Sequence, residues 1–251
     1  MLKKIICQLL ILFAAVNLYA QADTAKIEAA FTGQKNLIKV NVFALFLKNI
    51  TVEYERMVGK KTTLALDVRL MPKSGLPFKA SFRSAINNQN TKNQVDNFET
   101  GNFAIMPQAR FYFSHKGAYH GFYIAPFACY AHYTGDLPYI YNDNGVDKTI
   151  PLSGSINTIT GGLLFGAQWK IGKTVYLDWW IIGPHYGSSN GSISGRQSLS
   201  PSEQSSLKAD LDKLNLPLTK TTSTVDANGA TLNFSGPWAG IRSGLCIGVR
   251  F

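Results

Sequence analysis

The stretch WAGIRSGLCIGVRF, residues 238–251, alternates without a break. Ala239, Ile241, Ser243, Leu245, Ile247, Val249 and Phe251 share one face. Trp238, Gly240, Arg242, Gly244, Cys246, Gly248 and Arg250 share the other. A period of two belongs to a β-strand and to no helix. One face is greasy, and the other carries two arginines and three glycines.

Working back along the chain, the same pattern recurs. In 157–171, Ile159, Leu163, Phe165, Ala167, Trp169 and Ile171 oppose Thr158, Thr160, Gly162, Gln168 and Lys170. In 174–186, Val175, Leu177, Trp179 and Ile181 oppose Asp178. In 102–113, Phe103, Ile105, Ala109, Phe111 and Phe113 oppose Gln108 and Arg110. In 62–71, Leu64, Leu66, Val68 and Leu70 oppose Thr63, Asp67 and Arg69. In 50–58, Ile50, Val52 and Tyr54 oppose Glu53 and Glu55, and in 37–46 an apolar face opposes Lys39 and Asn41. Segment 121–134 is apolar on both faces. Eight strands result, and an even number closes an up-and-down antiparallel sheet on itself.

Alternation does not say which face is inside. A soluble barrel turns the charged face to water, and a membrane barrel turns it into the lumen. Three features favour the second. The connections at Gly59-Lys60-Lys61, Ser114 to His120 and Gly172-Lys173 are short, whereas those over roughly 72–100, 135–156 and 188–236 are long. Tyr123 and Tyr133 are spaced about 25 Å apart along a tilted strand, the height of an outer-membrane apolar band. With Trp169, Trp179 and Phe251 they form the expected aromatic girdle. A phenylalanine closing an alternating strand is the expected signal to the barrel-insertion machinery.

The other end reads as an export signal over residues 1–20. Lys3 and Lys4 precede the apolar run Ile5 to Val16, and Ala20 is a small residue at the expected cleavage point. Residues 21–35 then form a periplasmic N-terminal segment and 36–251 the barrel. No later run is long and apolar enough for a membrane helix. Only 16% of residues are charged, against about 25% in ordinary globular proteins, while 12% are aromatic and 22 are Gly. Disorder, coiled coil and collagen are excluded. Three cysteines are too few for a disulfide scaffold. Loss of residues 1–20 removes Cys7 and two lysines, leaving +8 of the formal +10. Such a charge points to anionic neighbours such as outer-membrane lipid, and no nucleic-acid module is present.

The layout resembles the small OmpA/OmpX-type barrels. More narrowly, it resembles an uncharacterised family of Bacteroidota outer-membrane barrels, domain of unknown function 3575. The resemblance rests on Ile38-Lys39-Val40-Asn41, Ile50-Thr51-Val52-Glu53-Tyr54, Gly59-Lys60-Lys61, Pro107-Gln108-Ala109-Arg110-Phe111-Tyr112-Phe113 and the closing Gly248-Val249-Arg250-Phe251. It implies a transmembrane β-barrel in the Gram-negative outer membrane, with no assigned catalytic residues.

An eight-stranded barrel is just wide enough for side chains to fill it. The expected lumen network is Lys39, Arg69, Arg110, Lys170, Arg242 and Arg250 against Glu53, Glu55, Asp67 and Asp178, because buried charges must pair. The last long loop carries a short helix, opened near Pro201 or Ser202 with Glu203 in its first turn. Leu207, Leu211 and Leu214 form a stripe on which a partner could dock. Tyr139, Tyr141, Asp143, Asn144 and Asp147 read as an Asx-rich turn and not a calcium loop. His132 and His185, with Asp136 and Ser188 nearby, are not fixed together by any spacing, so no enzyme, cofactor or metal is expected. Cys129 and Cys246 are expected as free thiols, Cys129 facing lipid. The reading is a structural or surface-interaction barrel that meets an extracellular ligand or protein through its loops. The alternatives are a lipid-modifying enzyme at the outer rim and a soluble exported lipocalin-like barrel.

Overall fold

The computed structural model describes residues 34–212 and 219–251. The export signal and most of the 21–35 segment therefore lie outside the described residues, as does Leu214. The strands are β1 (Asn36–Asn41), β2 (Ile50–Met57), β3 (Thr62–Gly75), β4 (Glu99–Tyr112), β5 (Gly121–Asp143), β6 (Val146–Lys170), β7 (Val175–Arg196), β8 (Lys220–Asp226) and β9 (Gly229–Arg250). The helices are α1 (Val42–Leu45), α2 (Lys79–Ser84), α3 (Gln89–Asn97) and α4 (Pro201–Asp212).

Each strand from β1 to β6 pairs antiparallel with the next, β7 pairs with β9, and β9 returns to β1. The ring is thus the expected eight-stranded antiparallel up-and-down barrel. Closure matters because it removes the unpaired edge of an open sheet. At the seam the Asn36 amide donates to the Phe251 carbonyl at 3.1 Å, and the Phe251 amide returns the bond at 2.8 Å. β8 is a ninth strand outside the ring, hairpinned onto the far end of β9.

The wall is inside out. Ile38 and Val40 are 46% and 38% exposed, while Lys39 between them is fully buried. Leu64, Leu66, Val68 and Leu70 project outward likewise, and Thr63, Ala65 and Asp67 are buried. A water-soluble barrel or lipocalin would have the reverse arrangement.

Two expectations about extent are corrected. The first strand ends at Asn41 and not at Phe46. Its side chain accepts from the Ala44 amide at 3.1 Å and so caps the one-turn α1. The second correction concerns the long connections: that over 135–156 is nearly all β-structure and that over 188–236 is partly so, whereas 72–100 holds α2 and α3. β5 and β6 continue to a tight turn at Asn144-Gly145, both with positive φ. β7 and β9 extend alongside them. Outside an apolar band a strand needs no greasy face, so these segments lose the alternation that marks the lower wall. The Asn-Gly pair is the local hairpin signal that length obscured.

A second apolar core forms in this extension. Leu207 and Leu211 of α4 are buried against Tyr141, Ile150, Leu152, Leu199 and Ala230. The helix starts at a capping box: the Ser200 amide donates to Glu203 at 2.7 Å and the Glu203 amide to the Ser200 hydroxyl at 3.4 Å, with Pro201 first in the helix. The expected docking stripe is therefore corrected at these two leucines, which face the chain's own sheet.

Candidate functional site: the barrel interior

One buried cluster crosses the lumen. Lys39 Nζ lies 2.5 Å from Glu55 and 2.5 Å from Asp178, and also contacts Glu53. Arg110 reaches Asp178 at 2.6 Å and Glu55 at 3.3 Å, and contacts Glu53. Arg242 pairs with Asp67 at 2.5 Å. Three cations thus meet four carboxylates, all brought together by strand parity from six strands.

Neutral groups complete the cluster. Gln108 Nε2 donates to Glu53 and Asp67, each at 2.9 Å. Gln168 accepts from Lys39 at 3.2 Å, Thr63 donates to Glu55 at 2.5 Å, and Tyr112 donates to Glu55 at 2.7 Å. Parity placed Gln108 and Gln168 on the charged face, but a reading that counted only charges left them out. Glu53, Glu55 and Asp178 come close enough to hold a metal ion, yet Lys39 and Arg110 sit among all three. That is the pairing a buried charge needs.

Glycine makes room for this packing. A Cβ on Gly248 would fall 2.3 Å from Lys39 Cγ, and one on Gly166 would fall 2.3 Å from the Tyr123 hydroxyl. The glycines on the charged face of the closing strand are therefore spaces for long side chains from neighbouring strands.

The remaining expected lumen charges sit apart. Arg69 donates to the Tyr133 hydroxyl at 3.3 Å, toward the loop end. Arg250 donates to the Tyr176 hydroxyl at 3.1 Å and to the Gln34 carbonyl at 2.9 Å, at the turn end. Lys170 lines the same mouth, a cavity of about 460 Å³ that also touches Lys60, Lys61, His115, Lys116 and His120.

β5 presents the opposite face from the one expected. Tyr123 is buried and its hydroxyl donates to Asp178 at 2.8 Å. Tyr133 packs on Trp238 with ring centres 5.4 Å apart. Neither belongs to an exterior girdle, whereas Trp179 and Phe251 are on the exterior and Trp169 shares their face, half-buried. The reason is chemical. The odd face of β5 has hydroxyl-tipped and flat rings, and Arg110 stacks on Tyr123 at 4.6 Å and Arg242 on Phe127 at 5.3 Å. The even face has Phe122, Pro126 and Tyr130 for the outside. Cys129 therefore lies inside and not toward lipid, with Cys246, and both thiols are free.

No catalytic grouping of the histidines forms. His132 has the exterior parity of Tyr130 and bonds Asn157 at 2.8 Å, while His185 packs inside on Phe127 at 6.0 Å. The wall separates them, and Asp136 pairs with Lys73.

A closed β-barrel with an ion-filled interior and an apolar exterior is the class this geometry defines. The chain matches the model of the DUF3575 family, described as proteins of unknown function, over residues 11–188, and it belongs to that family. No curated protein matches it. Among solved structures it is similar to the N-terminal β-barrel domain of Pseudomonas aeruginosa OprF, at 8% identity and TM-score 0.24, covering 87% of this chain and 98% of that one. It is also similar to the translocator domain of the autotransporter NalP from Neisseria meningitidis, at 12% identity and TM-score 0.34, covering 95% and 93%. At such scores the barrel assignment rests on the chain's own strand pairing.

Proposed function

We propose that the chain is a small outer-membrane barrel with a side-chain-filled lumen, acting as a structural or surface-interaction protein. The observation that carries this is the contrast across one wall: the charged network is buried while the apolar residues are exposed. Lipid is the solvent such an exterior suits, and at the turn end the β1–β9 seam pairs the backbone edge that lipid would otherwise meet. The Bacteroidota and OmpA/OmpX-like affiliation fits this size and closure.

In this orientation the short turns face the periplasm and the extension faces outward. The network blocks free passage of ions, so the working surface is the extension. There, α3 is tied to the β5–β6 hairpin by Asn90 donating to Asp147 at 2.7 Å. Lys148 joins that hairpin to α4 through Glu203 at 2.9 Å. A braced platform of this kind presents a fixed face to an extracellular ligand or protein. Phe251 at the seam is the proposed contact for the insertion machinery, and the lysines of the turns lie beside lipid headgroups.

The test is fractionation with gel mobility. The protein is expected with outer membrane, resistant to carbonate, and shifting in mobility on boiling. A tag at Asn90 is expected to be exposed on intact cells and one at Lys116 hidden. Recovery as a soluble periplasmic protein overturns the reading.

A further inference from the structure

The wall of the barrel is uneven. Asn41 and Cys246 form the last rung between β1 and β9, and β8 meets the same edge of β9 only from Ser235 onward. Among the described residues, Gly236 to Leu245 of β9 therefore pair only with β7. At the foot of this gap lie α1 and its following turn, with Phe43, Leu45, Phe46 and Leu47 exposed. There is no charged residue from Val42 to Leu47.

The depth of the gap follows from the membrane reading, on which this inference rests. At about 3.3 Å per residue and about 40° of tilt, β1 climbs only about 13 Å, half of an apolar band about 25 Å tall. The exterior of β9 beside the gap is still apolar, with Ile241 71% exposed. The unpaired edge thus lies within the outer half of the band.

Behind it is a cavity of about 200 Å³. Ile241 and Arg242, neighbours on opposite faces of β9, both line it, so it passes around the free strand edge. Phe43 and Trp238 form its apolar side, and Arg69, His185 and Arg242 its polar side. Arg242 is nine-tenths buried, and its Nε and Nη1 have no hydrogen-bond partner among the described residues. The same holds for Arg69 Nε and His185 Nδ1. Buried polar groups left unmet are costly, and here the guanidinium donors of Arg242 and Arg69 line one space with His185.

We propose that the gap is a lateral portal, and that the cavity takes the carboxylate of a long-chain fatty acid whose chain trails out past α1 into the membrane. The cavity is smaller than the roughly 300–1,000 Å³ of whole-ligand pockets, which suits a head group with its chain outside. A guanidinium fork pairs well with a carboxylate. Asp67, 2.5 Å from Arg242 and with Oδ1 unpartnered, disfavours a doubly charged phosphate.

The test uses the full mature chain in phosphatidylcholine nanodiscs, with Trp169→Phe and Trp179→Phe so that only Trp180 and Trp238 remain. The probe is 9,10-dibromostearate, read by tryptophan quenching. Saturable quenching is expected, absent with the methyl ester and weakened at least tenfold by Arg69→Gln. Arg69 lies outside the buried ion cluster, so that variant keeps the barrel. Ser243→Phe, which narrows the portal, is expected to slow the onset. Quenching that rises linearly, equals that of the ester or is unmoved by Arg69→Gln overturns the proposal. So does equal quenching by bromoacetate, which marks a water-borne anion, or tighter binding of a brominated phosphatidic acid. A chain that fails to insert overturns the membrane reading and the portal with it. Intact insertion without saturable quenching overturns the portal alone.

Discussion

Tyr123 donates its hydroxyl hydrogen to Asp178 across the interior of the barrel, at 2.8 Å. This bond turns the odd face of β5 inward. The Asp178 oxygen that Tyr123 meets is not the one used by Lys39 and Arg110. Tyr123→Phe therefore removes one bond and leaves the ion pairs. The expected loss is about 1–3 kcal/mol, the cost of one unmet buried acceptor, read from urea midpoints of unfolding in micelles. An unchanged midpoint would place Tyr123 outside.

Gly166 sets the space for that tyrosine. Its added Cβ would meet the Tyr123 hydroxyl at 2.3 Å and the Trp179 carbonyl at 2.9 Å. Gly166→Ala is expected to destabilise more than Tyr123→Phe, because the Trp179 backbone cannot swing away. The double variant is expected to be less than additive, measured as a cycle of the same midpoints.

Arg110 contacts three carboxylates. Arg110→Ala leaves Glu55 and Asp178 facing Lys39 alone and Glu53 facing Lys39 with Arg242 at 4.0 Å, and the expected cost is about 3–5 kcal/mol for breaking a buried ion network. Arg110→Lys is expected to recover part of it. In planar bilayers the wild type is expected to be closed and Arg110→Ala to pass small ions, since the guanidinium fills the centre of the lumen.

The extension has its own pH dependence. Lys148 and Ser200 hold the Glu203 carboxyl down to about 2 from its ordinary 4.5. A lowered folded value means the contribution is present in full above pH 4.5 and is lost as pH falls through about 2. A spin label at Ser205→Cys, with Cys129 and Cys246 replaced by alanine, is expected to loosen over that window. Glu203→Gln is expected to be looser at neutral pH and flat across it.

Cys129 and Cys246 share the interior but lie on strands separated by β6 and β7. No intramolecular bond between them is expected in non-reducing mass spectrometry. Cys129 lines the cavity behind the gap and Cys246 does not. A small thiol reagent is therefore expected to modify Cys129 first.

Period-two alternation, read from residues alone, was enough for eight strands, the short turns and the sharing of one face by Lys39, Glu53, Asp67, Arg110, Asp178 and Arg242. These depend only on the geometry of a single extended chain. Orientation at β5 did not follow, because both its faces are apolar and only the approach of Arg110 and Asp178 tells a hydroxyl-tipped ring from a greasy one. The low wall at β1 and β2 was equally hidden, since 37–46 alternates straight through the point where Asn41 caps a helical turn. Lys39 and Asp178 stand 139 positions apart, and no local pattern encodes that meeting. It arises when the ring closes, since only then do strand register and height become common to all eight strands.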